Sequence, residues 1–273
     1  MNQDDRRTQP RPEEVQSGLA GLAEAGAPAG FALRVLAQAG ISPQRYDTYV
    51  HLEIASGGLY TAFSEEAVTG AVLESTELTA TAFEELHRTR TGRSAIPATV
   101  AFTGLRTAVR TGRTRQLPLD IGHLPKADRA VLEAVRTIPA GQLRPLSWIT
   151  REASLGARPA AGWAVEILAR NPMAYLIPCH RVTHEDGAPC DAGHPREAGD
   201  ALRQAEGIDR ETVREWSGGA AVFLGSDTTH IFCHPTCAHA RRITPPHQVR
   251  FPTARAAHRA GYRACKSCRP VSV

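Results

Sequence analysis

Four cysteines near one end of the chain restrict its fold more than any other feature. Cys233 and Cys237 are separated by three residues and Cys265 and Cys268 by two, with 27 residues between the pairs. Two such pairs can close on a single tetrahedral ion, and thiolates suit zinc. A segment this short has too little apolar core to fold without a metal. Two disulfides would satisfy the same count, but that chemistry belongs to secreted chains, and nothing here reads as secreted. The spacing therefore predicts a zinc site made by Cys233, Cys237, Cys265 and Cys268. His234, His239, His247 and His258 are alternative donors, yet the set of four thiolates is already complete.

Charge singles out the same segment. Residues 221–273 carry eight Arg or Lys against Asp227 alone, while the whole chain has 32 basic and 28 acidic residues. A small, strongly basic module points to a polyanion, usually nucleic acid. Arg241 and Arg242 are the first candidates for contact with it. The plain alternative is a solvated basic tail. With 273 residues, 42% of them apolar, the chain has enough material for one large domain or two smaller ones. No apolar run approaches the roughly 20 residues that span a membrane, and MNQDDRRTQPRPEE has no signal-peptide core. The reading is a soluble intracellular protein.

Residues 1–27 are polar and rich in charge, Gly and Ala, and are expected to be disordered. A short amphipathic helix is expected over 28–41. Tyr46–Ser64 alternates β-branched or aromatic residues with polar ones around Gly57-Gly58, which reads as a hairpin. A helix is expected over 79–88. From Lys126 the pattern is helical, with Val131, Leu132, Val135 and Ile138 on one face and Pro139-Ala140-Gly141 ending it. Further helices are expected over 146–154 and 158–170, a helix-turn-helix arrangement. The last leads into a strand carrying Cys179. Residues 189–199 read as a loop, 196–206 as a final helix, and Ser217-Gly218-Gly219 as a linker.

The stretch NPMAYLIPCHRVTHEDG places Cys179 beside His180. Only the thiolate is a good nucleophile, so an acting cysteine needs a base in reach and a third group to orient that base. His180 is the candidate base, Glu206 the orienter and Asn171 the brace of the turn. On a strand His180 would face away from the thiol, so a turn or a water must link them. Taken alone, a Cys-His pair is more often structural.

IPCHRV after Asn171-Pro172, with RAVLEAVRTIPAGQ upstream and Glu206-Gly207 downstream, resembles the O6-alkylguanine-DNA alkyltransferases. The resemblance implies an irreversible, single-turnover acceptor at Cys179, His180 as water-linked base, Glu206 as orienter, and a base flipped from DNA bound in the minor groove. Gly162 stands where that family has an arginine, Trp148 where it has a tyrosine, and Cys190-Asp191-Ala192 where it has a glycine-tyrosine loop. Trp148, Arg158, Gly162, Trp163 and Arg181 are the expected DNA contacts. Trp163 is either a wedge between bases or a core residue. GSDTTHIFCHPTCAHARRI through GYRACKSCRP resembles the metal-binding domain of the bacterial Ada proteins. That implies Cys233 as both zinc ligand and acceptor of methyl groups from backbone phosphotriesters. In Ada this domain lies at the N-terminus and is followed by an activator; here it comes last, so a transcriptional role is not implied.

The expected fold is α+β. It comprises a hairpin-containing subdomain over 28–120, a helix-turn-helix alkyltransferase domain over 121–216 and a zinc domain over 220–273. The expected function is DNA alkylation repair, with zinc as cofactor and double-stranded DNA as partner. The chain is expected to be a monomer in the bacterial cytoplasm. The alternative is a protein that binds alkylated or distorted DNA without transfer and signals to another pathway or regulates expression.

Overall fold

In the computed structural model, residues 30–154, 161–218 and 223–270 are described. The fold is α+β. The segment expected to be disordered, 1–27, and Arg158 lie outside the described residues.

The first unit is a four-stranded sheet in the order β3-β2-β1-β4. Strand β1 (Tyr46–Ile54) and strand β2 (Gly57–Phe63) form the expected hairpin, with Leu52 opposite Leu59 and Ile54 opposite Gly57. Strand β3 (Val68–Leu73) continues it antiparallel, and β4 (Ser94–Pro97) joins β1 in parallel. Alternate residues face opposite sides of a strand, and here both sides are covered. Tyr49 and Tyr60 pack with Phe83 of helix α2 (Ala80–Thr91), whose first turn Thr79 caps. Val50, Leu52, Leu59 and Phe63 face the main core. Helix α1 (Phe31–Gln38) precedes the sheet, and α3 (Leu105–Thr111) follows it.

The second unit is helical. Helices α4 (Lys126–Arg136), α5 (Leu146–Glu152) and α6 (Ala161–Ala169) pack on one another around Val131, Leu132, Val135, Ile149, Ile167 and Leu168. Two backbone hydrogen bonds join the units, from Ala71 N–H to Pro172 O (3.1 Å) and from Ala174 N–H to Ala71 O (2.9 Å). They hold the turn before Cys179 against β3. Cys179 is not on a strand: Cys179–Arg181 form one turn of 3-10 helix. Only after it does β6 (Val182–Thr183) pair in parallel with β5 (Arg144–Pro145). Helix α7 (Arg196–Ala205) carries the chain to Glu206. Ser217 and Gly218, expected in a linker, instead end helix α8 (Arg210–Gly218).

The third unit is a sheet in the order β10-β8-β7-β9, made of β7 (Phe223–Ser226), β8 (Ile231–Cys233), β9 (Gln248–Phe251) and β10 (Arg263–Ala264), with helix α9 (Ala254–Arg259). Its apolar core is small: Phe223, Phe232, Phe251, Ala254, Ala257 and Tyr262. Gly225 makes that packing possible, since a Cβ there would lie 2.8 Å from both the Phe251 and Tyr262 rings. So thin a core leaves the cysteine cluster as the other half of the module's stability.

Candidate functional site

Cys179 sits at the head of the 3-10 turn with its side chain buried. Asn171 reaches it from the end of α6. Its Nδ2 donates to Cys179 Sγ at 3.2 Å and to Ile177 O at 3.0 Å, while its Oδ1 accepts from Met173 N–H at 3.0 Å. The amide thus fixes the turn and the sulfur together. The sulfur is closed in from the other side by the loop before α7. A Cβ on Gly193 would lie 3.7 Å from Sγ and 2.7 Å from Leu168 O, so only glycine fits there. Burial, opposed by the Asn171 hydrogen bond, pushes the thiol up to about 12. The resting sulfur is therefore a neutral thiol, not the thiolate that the motif suggested.

Behind the sulfur is a buried charge network. His180 Nε2–H donates to Glu206 Oε1 at 3.0 Å. This leaves His180 Nδ1 as an acceptor, buried and without a partner among the described residues. Burial, against the pull of Glu206, takes the imidazole down to about 4, so it is neutral near pH 7. Its ring stacks on Tyr175, whose hydroxyl donates to Val109 O at 2.5 Å. Glu206 is held by more than the histidine. Arg181 donates to it from Nε (3.1 Å) and Nη2 (2.6 Å), and Gly141 N–H donates at 2.8 Å. Burial would raise the Glu206 carboxyl, but its bonds and charge pairing with His180 and Arg181 outweigh that and hold it down to about 2.

Several expected DNA contacts sit elsewhere. Arg181 is 3% exposed, and its remaining donors go to Ile138 O (2.7 Å) and Gly112 O (2.9 Å). With every branch of the guanidinium committed internally, it is a partner of Glu206 and not a surface contact. Trp148 is also 3% exposed, and its indole N–H donates to Cys268 O at 2.9 Å. It packs where the third unit docks, so it does not face a duplex. Trp163 is half-buried against the core. Gly162 is exposed, and among the described residues nothing lies within 4 Å of a Cβ placed there. Arg241 and Arg242 are exposed.

The second centre is the cysteine cluster. The sulfurs of Cys233, Cys237, Cys265 and Cys268 all lie within 4.8 Å of one another, and all four residues are buried. Without a cation they must share protons. Hydrogen bonding to Cys237 raises Cys233, while Cys237 is lowered by the same bond. A divalent ion removes that conflict, and a closed set of four thiolates is the donor set of structural zinc. The cluster is a zinc site. Cys233 and Cys265 also line a cleft of about 540 Å³ with His239, Arg242, Arg263 and Lys266.

The sequence pattern missed two participants here: Gly141, and Arg181 as a carboxylate partner. Arg181 adjoins the Cys-His pair, which is the one local cue. Gly141 acts through a contact with a residue far away in the chain.

Two family models match the chain. One, described as 6-O-methylguanine DNA methyltransferase, DNA binding domain, covers residues 126–212; the other, the metal binding domain of Ada, covers 215–271. A methylated-DNA–protein-cysteine methyltransferase of Methanothermobacter thermautotrophicus is 41% identical over 69 residues, 25% of this chain and 37% of the relative. The chain thus spans little more than a third of that curated relative. Among solved structures, Mycobacterium tuberculosis OGT in complex with DNA is 24% identical with a TM-score of 0.46, covering 62% of this chain and 98% of that one. The O6-methylguanine-DNA methyltransferase of Pyrococcus kodakaraensis is 15% identical with a TM-score of 0.44, covering 59% and 99%. One matched segment thus holds Cys179, His180 and Glu206, and the next holds the four-cysteine cluster: the chain carries a domain matched by the 6-O-methylguanine DNA methyltransferase DNA-binding model, followed by one matched by the metal binding domain of Ada.

Proposed function

We propose that this chain repairs alkylated DNA by moving the alkyl group onto its own cysteine, once per molecule. One observation carries the reading: Asn171 holds the Cys179 sulfur at 3.2 Å, next to a His180–Glu206 pair, within the segment matched by a methyltransferase DNA-binding domain. The substrate is an O6-alkylguanine turned out of a DNA duplex, and the protein acts as a monomer. The Cys179 sulfur attacks the alkyl carbon. The S–C bond forms as the C–O bond breaks, and the electron pair goes to O6. In balance, the proton lost by sulfur is the one the leaving guanine gains. His180 Nδ1 is the free acceptor through which it passes, and Glu206 fixes the tautomer that leaves Nδ1 free. Asn171 favours the ionised sulfur by donating to it. Burial raises the thiol and Gly193 packs over it, so the transfer requires the sulfur to lose its proton as the base is bound.

Cys233 is the second proposed acceptor, for methyl groups on backbone phosphotriesters. Its cleft is lined with Arg242, Arg263 and Lys266, which suit a phosphate. Zinc bound to the four cysteines keeps their sulfurs ionised near neutral pH. Arg241 and Arg242 contribute salt-dependent contacts to the DNA backbone.

Intact-protein mass spectrometry after incubation with duplexes carrying O6-methylguanine or a methyl phosphotriester tests this. The expected result is a stoichiometric gain of one methyl with the base lesion, lost in Cys179→Ala. A second gain with the phosphotriester is expected to be lost in Cys233→Ala. Tight binding of the alkylated duplex with no mass gain would instead support a damage-binding protein without transfer.

A further inference from the structure

The zinc domain is docked on the alkyltransferase domain through its metal-bearing turns. Leu143 N–H donates to Thr236 Oγ1 at 2.8 Å, one residue before the ligand Cys237. The Trp148 indole donates to the carbonyl of the ligand Cys268, and Arg151 donates to Arg269 O at 2.6 Å. Arg269 in return pairs with Glu152. At the centre of this contact is Arg144, only 2% exposed. Its guanidinium lies 5.6 Å from the centre of the Trp148 ring. Its hydrogen bonds go to neutral acceptors, Leu143 O at 2.6 Å and Gln142 Oε1 at 2.5 Å, and Nε has no partner. Among the described residues Arg144 forms no ion pair with a carboxylate, although Arg136, Arg170, Arg181 and Arg203 all do.

An arginine does not shed its charge in a protein. A buried cation without an anion costs several kcal/mol, so a counter-charge is required. Arg144 lies between Leu143 and Trp148, which bond the turns bearing Cys237 and Cys268, and the negative charge of the four cysteines favours its cationic form against burial. Four thiolates on one divalent ion carry an excess of negative charge that equally needs compensation in a buried site. Each group supplies what the other lacks.

We propose that Arg144 is the counter-cation of the zinc centre, a positioning residue that the alkyltransferase domain contributes to the thiolates of the neighbouring domain. The inference takes zinc occupancy as given and does not depend on which cysteine accepts an alkyl group. It also links the two centres. Arg144 begins β5, which pairs with Val182 directly after the Cys179–Arg181 turn, and Gly141, three residues earlier, holds Glu206. A change in charge at the cluster therefore bears on the turn that orients the His180–Glu206 pair. Methylation of one sulfur removes one negative charge and loosens the hold on Arg144. The base-transfer site is then coupled to the state of the zinc site.

The test uses the full chain, with zinc affinity measured by competition against a chromogenic chelator. Arg144→Gln is expected to bind zinc about tenfold more weakly, in the range typical of lost groups behind a ligand set. Arg144→Lys, which keeps the charge, is expected to stay close to the unmutated chain. Substitution of cobalt supplies a readout that general loosening would not move. Without the cation the thiolates are more electron-rich, so the sulfur-to-cobalt charge-transfer bands shift to lower energy in Arg144→Gln and not in Arg144→Lys. If Arg144→Gln does not fold, the unmutated chain still decides, because its Arg144 guanidinium resonance should shift when zinc is added to the stripped protein. Unchanged affinity and unchanged cobalt bands in Arg144→Gln, or a guanidinium resonance indifferent to zinc, overturn the inference alone. An unmutated chain that takes up no zinc overturns the zinc site and this inference together.

Discussion

Glu206 accepts from His180, Arg181 and Gly141 at once, and this convergence sets how the site responds to acid. Its carboxyl lies at about 2, below the ordinary 4.5, so the stabilisation is present above the ordinary value and lost as pH falls toward 2. His180, drawn from 6.5 to about 4 by burial, acts in the same direction, because the unfolded chain takes up its proton first. Stability is therefore expected to decline from about pH 6.5 downward, with His180 dominating the upper part of the fall and Glu206 the lower. Urea midpoints across this range check it. Glu206→Gln leaves Arg181 buried without its anion and is expected to cost on the order of 3 kcal/mol, with the acid slope below pH 4.5 correspondingly flattened. At this scale the sequence named residues that the fold brings together, but not their state. Cys179, His180, Asn171 and Glu206 were legible from a motif, whereas the neutral sulfur and the inward Arg181 depend on burial that no local pattern records.

At the scale of elements, the hairpin and α4 were legible for simple reasons. Alternation over Tyr46–Ser64 marked the hairpin, although its turn falls at Ala55-Ser56 and Gly57-Gly58 opens β2, and Val131, Leu132 and Val135 fell on one helical face. Strand β3 was not, because VTGAVL is short, largely buried and lacks alternation. The turn at Cys179 was read as a strand because an apolar run precedes it. Two glycines test how the elements frame the site. Gly193→Ala places a methyl 2.7 Å from Leu168 O and against the sulfur. A loss of about 1–3 kcal/mol in stability is expected, along with slower alkyl transfer. Gly162→Arg, by contrast, enters open space at the start of α6. Removing a helical glycine adds up to about 1 kcal/mol, and a cation there is expected to tighten binding to alkylated duplex. Thermal melts and gel-shift titrations separate these outcomes.

Across the whole molecule, the zinc domain is not an appendage. It buries Trp148 and shares hydrogen bonds with the turn leading into α5. The Cys-x3-Cys and Cys-x2-Cys spacing made the metal legible, and the basic composition pointed to a polyanion. Nothing in either pattern indicates that the module docks on α5, because docking is a property of two folded surfaces. Stripping zinc with a chelator is accordingly expected to reach beyond the module. Amide exchange should accelerate in α5 as well as in β7–β10, and tryptophan emission should shift to the red as Trp148 becomes exposed. The most direct measurement of alkyl transfer itself is a tryptic map after reaction with a duplex containing O6-methylguanine. The expected result is one methyl on Cys179 in the peptide Asn171–Arg181, at up to one per chain, and none in that peptide when His180 and Glu206 are both replaced. An unmodified Cys179 after prolonged exposure to bound lesion would contradict transfer at this site.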